Sequence, residues 1–154
     1  MAHIMLSSDA FRPGASIPAK FSCNGQDKSP ELRWGDPPAG TKSFSLVLDD
    51  PDAPRGTFVH WVAYNIPPEK RSLPEGVPPI AEVPGGMQQG QNGFGKTGYS
   101  GPCPPPGKPH RYFFRLYALS TVLSLRKGAT KEDLVRAMDG QVLAQAELMG
   151  VFGR

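Results

Sequence analysis

Ser43-Phe44-Ser45-Leu46-Val47-Leu48-Asp49-Asp50-Pro51-Asp52-Ala53-Pro54 decides how this chain is read. Successive side chains of a strand point to opposite faces, so Phe44, Leu46 and Leu48 share one face, Asp50 continues it, and Val47 lies on the other. The strand predicted over 43–49 runs into a pair of carboxylates. Pro51 and Pro54 then fix the chain direction and prevent further pairing. The next segment, Phe58 to Asn65, alternates Phe58, His60, Val62 and Tyr64 against Val59, Trp61 and Ala63. Both of its faces are apolar, as in a strand covered on two sides. A third strand, predicted over 111–119, sets Tyr112, Phe114, Leu116 and Ala118 against Arg111, Phe113, Arg115 and Tyr117. It comes after Gly101-Pro102-Cys103-Pro104-Pro105-Pro106-Gly107-Lys108-Pro109, where repeated prolines remove donors and exclude a helix.

Farther along, Thr130-Lys131-Glu132-Asp133 reads as a capping box with Asp in place of Glu. It is expected to open a helix that runs to about Met149 and is capped by Gly150. Leu134, Ala137, Met138, Val142, Leu148 and Met149 fall near one stripe, which predicts packing at the edge of the sheets. Gly and Pro number 18 each among 154 residues, gathered between apolar runs without a period, as expected for a chain of many turns. Strands first and a helix last predict a mainly β (α+β) fold, one domain over 1–154, with residues 1–5 expected to be flexible or partly vector-derived.

The net charge of +3 comes from 17 basic and 14 acidic residues with no basic run to follow a phosphate backbone, so no nucleic-acid partner is expected. No apolar run approaches the roughly 20 residues that cross a bilayer. Neither a basic amphipathic helix nor a lipidation signal is visible, and integral membrane association is not expected. The first residues lack a secretory pattern, so a cytoplasmic location is expected. Cys23 and Cys103 lack the CxxC spacing of a zinc site. They read either as two buried thiols or as a disulfide between two loops, the second disfavoured in a reducing cytoplasm unless the source is a hyperthermophile.

Gly90-Gln91-Asn92-Gly93-Phe94-Gly95-Lys96-Thr97 matches GxxxxGK[ST], and Phe44 to Asp50 imitates the acidic strand that accompanies it in nucleotide hydrolases. The chemistry needs a buried strand before the glycine loop and a helix after it. Pro84-Gly85-Gly86 precedes the loop and Gly98-Tyr99-Ser100-Gly101-Pro102 comes after it, so the match reads as chance. Cys103 and His110 could be drawn as nucleophile and base, but prolines flank Cys103 and supply no helix N-terminus to activate it. No GxSxG elbow, metal motif or cofactor fingerprint occurs, so no enzyme, metal or cofactor is expected.

Of the three histidines, His3 lies in the N-terminal segment, while His60 and His110 each border an unusual local sequence. If the three strands are neighbours, both imidazoles and Asp50 share one cavity. Two His and two Asp could serve a divalent metal, yet no HxH or HxxxH pairing supports one.

Taken together, the stretches 49–54 (DDPDAP), 58–67 (FVHWVAYNIP) and 98–107 (GYSGPCPPPG), with His110-Arg111-Tyr112-Phe113-Phe114, resemble the phosphatidylethanolamine-binding protein family. The bacterial and archaeal, Raf-kinase-inhibitor-like branch is the nearest in pattern. Ser29 to Trp34, Pro38 to Phe44 and Ala146 to Gly150 extend the likeness over about 11–154. The resemblance implies a Greek-key fold of two packed antiparallel sheets with a C-terminal helix. It also implies a pocket for phosphate, phosphoryl headgroups or acetate-like ions. Carried over residue by residue, the pocket aspartate falls on Asp50, the second aspartate of the motif on Asp52, the histidines on His60 and His110, and the tyrosine on Tyr112. Pro54 joins them, and backbone near Gly101 and Pro102 is expected to form the wall.

His60, His110 and Tyr112 would donate to an oxyanion. Asp50 would fix a histidine tautomer or receive a ligand amine, and Asp52 would bond nearby backbone or arginine. The implied role is binding of a small anion or phospholipid headgroup, with regulation of a protein kinase or another signalling protein. Inhibition of a serine protease through an exposed loop is the alternative, and a homodimer is a candidate assembly. Lys108-Pro109 departs from the branch's usual PPPGHRY and bears on the shape of the loop.

Overall fold

The computed structural model describes residues 2–154. In chain order the elements are β1 (Ala2–His3), β2 (Leu6–Ser7), β3 (Leu32–Trp34), β4 (Ser43–Asp50), β5 (Phe58–Ile66), β6 (Ser72–Leu73), β7 (Gln88–Gln89), β8 (His110–Leu119), α1 (Lys131–Met138) and β9 (Val142–Phe152). One sheet has the order β1-β9-β8-β4-β5-β7, and a three-stranded sheet has the order β2-β3-β6. Pairing is antiparallel throughout except between β1 and β9. The fold is thus mainly β, with two sheets and one α-helix toward the C-terminus, as the sequence leads one to expect. No helix among the described residues is long and apolar enough to cross a membrane.

Alternation along β4 separates two cores. Phe44, Leu46 and Leu48 pack with Trp61, Phe114, Leu116 and Leu148 against Leu32, Trp34 and Leu73 of the smaller sheet. Val47 faces the other way, where Val62, Tyr64 and Leu119 pack on Leu134 and Met138 of α1. All eight residues of β4 are consequently buried. Each large apolar side chain so covered contributes about 1.5–3 kcal/mol. Asp49 points to the helix side and is only 1% exposed. It is paired with the Arg115 guanidinium and with Lys131 Nζ at 2.8 Å.

One expectation is corrected. The helix does not reach Met149. Its capping box is real, with Thr130 Oγ1 accepting the Asp133 N–H and Asp133 Oδ2 accepting the Thr130 N–H, but α1 ends at Met138 and Gly140 turns the chain at φ 76°. The chain then enters β9, in which Ala144, Ala146, Leu148, Gly150 and Phe152 are buried and alternate with more exposed neighbours. Pairing along the whole length of β8, His110 with Phe152 through Leu119 with Val142, overrides the local helical tendency of this alanine- and glutamine-rich stretch. Gly150 serves there as a point of close approach: a Cβ would lie 2.6 Å from Ile17 Cγ1. At the start of the chain Ala2 and His3 pair with Ala144 and Gln145.

Candidate functional site

His60 reaches its position through a defect in the ladder. Leu48 pairs with Trp61, but Asp49 pairs with Val59 and Asp50 with Phe58, so His60 is the extra residue of a β-bulge. Such a bulge re-aims side chains and is common beside functional sites. Strict alternation would place Phe58 and His60 with Val62, beneath α1. The bulge instead brings both to the side of Asp50, at the end of the sheet where β8 begins.

The imidazole of His60 is 3% exposed. Its Nδ1 lies 2.7 Å from the Ser100 carbonyl, which can only accept, so Nδ1 carries a proton and Nε2 is the ring's remaining polar atom. Burial lowers the pKa of His60, with the Ser100 carbonyl and the Asp50 charge opposing it more weakly. His110 is tied in the same sense. Its Nδ1–H donates to Asp50 Oδ2 at 2.7 Å, while Asp50 Oδ1 accepts the backbone N–H of Asp52 at 2.8 Å. Asp50 therefore fixes the tautomer of His110 and closes its own turn.

Tyr112 lies on the same face of β8, its ring 5.4 Å from that of His60 and 6.5 Å from that of His110. Its hydroxyl is buried and has no hydrogen-bond partner among the described residues. Burial, then the Asp50 charge and the approach of that carboxylate to the O–H, which stops short of a hydrogen bond, push its pKa well above the usual phenol value and keep it a neutral O–H donor. An unpaired buried hydroxyl costs about 1–3 kcal/mol, which a ligand oxygen would recover.

Asp50, His60, His110 and Tyr112 line one cavity of about 130 Å³. Pro54 lines it too, as expected, together with Ala53 and Phe58. Asp52 does not. Its carboxylate turns away and accepts the backbone N–H, Nε and Nη2 of Arg111, each at 2.9 Å, and these bonds draw its pKa down to about 2. The expected wall of Gly101 and Pro102 is corrected to Cys103, Pro104 and Pro105. Gly101 is instead a junction between loops: its N–H donates to Asp27 Oδ1 at 2.8 Å, and a Cβ there would meet the Phe21 carbonyl at 2.0 Å. Cys103 is joined to Cys23 by a disulfide, Cα to Cα 5.4 Å, which settles the choice left open between thiols and a bridge.

Phe94 is a lining residue that sequence reasoning missed, as it missed Ala53 and Phe58. The segment 90–97 has no phosphate-binding geometry. Gln91 bridges to Thr97, and buried Asn92 ties the turn together, accepting from the N–H groups of Phe94 and Lys96 and donating to Gly98 O and Ser100 Oγ. This braced turn sets Phe94 edge-on to Phe58 at 4.7 Å and to His60 at 5.8 Å. A lone aromatic among glycines and polar residues was the available signal. The site thus has a polar floor of two imidazoles and a phenol beneath an apolar rim.

Comparison with known proteins agrees with this architecture. Residues 7–153 match the model of a family described as phosphatidylethanolamine-binding protein. The UPF0098 protein of Methanothermobacter thermautotrophicus is 50% identical over 149 residues, covering 97% of this chain and 98% of that protein. The crystal structure of a phosphatidylethanolamine-binding protein homologue from Chlamydia trachomatis superposes with a TM-score of 0.90 at 43% identity, over 100% of this chain and 99% of the other. Escherichia coli YbcL, described as a new member of the mammalian family of that name, gives 0.92 at 32% identity, over 99% of each chain.

Proposed function

Because the chain belongs to the phosphatidylethanolamine-binding protein family, we propose that its pocket holds the phosphoryl group of a small anion or phospholipid headgroup and catalyses no reaction. The observation that carries this reading is the buried, unpartnered hydroxyl of Tyr112, set beside two imidazoles whose Nδ1 atoms are already occupied. Three donors can then converge on one oxyanion: Tyr112 O–H and, from the protonated rings, the Nε2–H groups of His110 and His60. A phosphoryl oxygen suits them because it accepts several charge-assisted bonds at once. Asp50 repels an anion on its own account, but its Oδ2 and Oδ1 are already taken by His110 Nδ1–H and the Asp52 N–H, which disperses that charge.

Empty, His60 prefers to be neutral because burial lowers its pKa. Anion binding that recruits its Nε2–H therefore takes up a proton, and affinity rises as the pH falls toward the lowered pKa of the empty site's imidazole, levelling off below it. The apolar rim of Phe58, Phe94, Pro54 and Pro105 suits the organic part of a phosphoester better than free phosphate.

Calorimetric titration with phosphoethanolamine and with inorganic phosphate tests the reading. Binding to the wild type that is lost in His110→Ala is expected, and equal affinity in the two proteins contradicts it. Inhibition of a serine protease by an inserted loop would be indifferent to the same substitution, which separates that alternative.

A further inference from the structure

The wall of the pocket contains a bond that chemistry can open. Cys103 lines the cavity and is bonded to Cys23, which is exposed to solvent. The segment it anchors has little else to hold it. Pro104, Pro105 and Pro106 have no N–H, and among the described residues Cys103 N–H donates no hydrogen bond. Three hydrogen bonds remain, one of them within the wall itself. Pro102 O accepts the Cys23 N–H at 3.1 Å, Pro104 O accepts Arg154 Nε at 2.6 Å, and Gly107 N–H donates to Arg154 O at 2.9 Å. Elsewhere a loop is held by a ladder of backbone bonds, but at Cys103 the disulfide takes their place, beside the single bond to Pro104 O.

We propose that Cys23–Cys103 is a site of thiol–disulfide exchange whose state sets the affinity of the pocket; the affinity part rests on the anion-binding reading above. The co-reactant is a dithiol, small or carried by a protein. Its thiolate attacks the exposed Cys23 sulfur, the Cys23–Cys103 bond breaks, and Cys103 departs as a thiolate that takes up a proton. The second thiol of the reagent then displaces Cys23 as its thiol. Two electrons and two protons pass to the protein, and the reagent leaves as its own disulfide. Release of Cys103 frees the segment 103–106 to sample positions that do not complete the wall. The apparent dissociation constant rises in proportion as the competent fraction falls.

The test titrates phosphoethanolamine into the oxidised protein, the protein reduced with dithiothreitol, and Cys23→Ser, with free thiols counted in each and circular dichroism confirming the fold. Amide exchange at Gly107 is followed without ligand. Reduction is expected to weaken binding about tenfold and to speed Gly107 exchange. Cys23→Ser should resemble the reduced protein and ignore the reductant. A loss of affinity of about threefold or more supports the proposal, and a smaller one overturns it. A disulfide that resists dithiothreitol in the folded protein also overturns it. If the oxidised protein binds no phosphoethanolamine, the anion reading fails and the affinity claim with it. Accelerated Gly107 exchange on reduction would then still establish the exchange site, and unchanged exchange would sink both.

Discussion

Asp49 and Asp50 are neighbours in one strand, 1% and 3% exposed, yet the two faces they occupy have opposite character. On the helix side Asp49 meets Arg115 and Lys131, and α1 covers the core beside it. Both carboxylate oxygens of Asp49 are taken there, although the Ser45 hydroxyl on the same face is buried without a partner among the described residues. On the other side Asp50 holds His110, and beyond that pair stands the Tyr112 hydroxyl with no partner among the described residues. A finished polar network stabilises a fold, whereas a buried donor without an acceptor, next to a cavity, marks where a ligand completes the structure.

Removing the Asp49 carboxylate breaks the finished face first. Asp49→Ala leaves two partly buried cations facing each other and should cost about 3–5 kcal/mol. Denaturant unfolding would read that loss, while phosphoethanolamine affinity in the folded fraction should be unaltered. A variant that binds less well without losing stability would dissolve the contrast. Asp50→Asn should do the reverse. It keeps the shape of the turn but removes the charge that holds His110, and about 1.5–3 kcal/mol of charge-assisted bonding is at stake. Ligand affinity is therefore expected to fall at least about tenfold, by calorimetry.

A smaller effect comes from acidity. Lowering the pH from 7.5 to 6 should strengthen anion binding by up to about tenfold per unit for each imidazole proton taken up, the one at His60 among them. A flat profile over that window would show that His60 does not donate. Smallest is Asp52→Ala, which releases the exposed Arg111 guanidinium and should leave both stability and affinity nearly unchanged. In the wild type, Asp52 contributes stability above the ordinary carboxylate pKa that is lost as the pH falls through about 2.

The sequence made some of this legible. Period-two patterning assigns Phe44, Leu46 and Leu48 to one core and Val47 to the other because both faces of β4 are apolar and the parity needs no partner to be read. The association of Asp50, His60, His110 and Tyr112 was legible from the motifs around them. The bulge was not, because it exists only in the register between two strands, and it moves His60 to the opposite face from the one alternation assigns. β9 was hidden for a related reason. Ala144 to Met149 is compatible with a helix locally and becomes a strand by pairing with β8. The bridge between Cys23 and Cys103 spans 80 residues, a separation that carries no periodic or motif signal.

The most direct test of the central claim is Tyr112→Phe, which removes the unpaired hydroxyl and nothing else. Calorimetry with phosphoethanolamine should show affinity about tenfold weaker, while thermal unfolding without ligand shows stability equal to or above that of the wild type, since a buried unsatisfied group has been deleted. Undiminished affinity, or a loss of stability without ligand, would contradict the account.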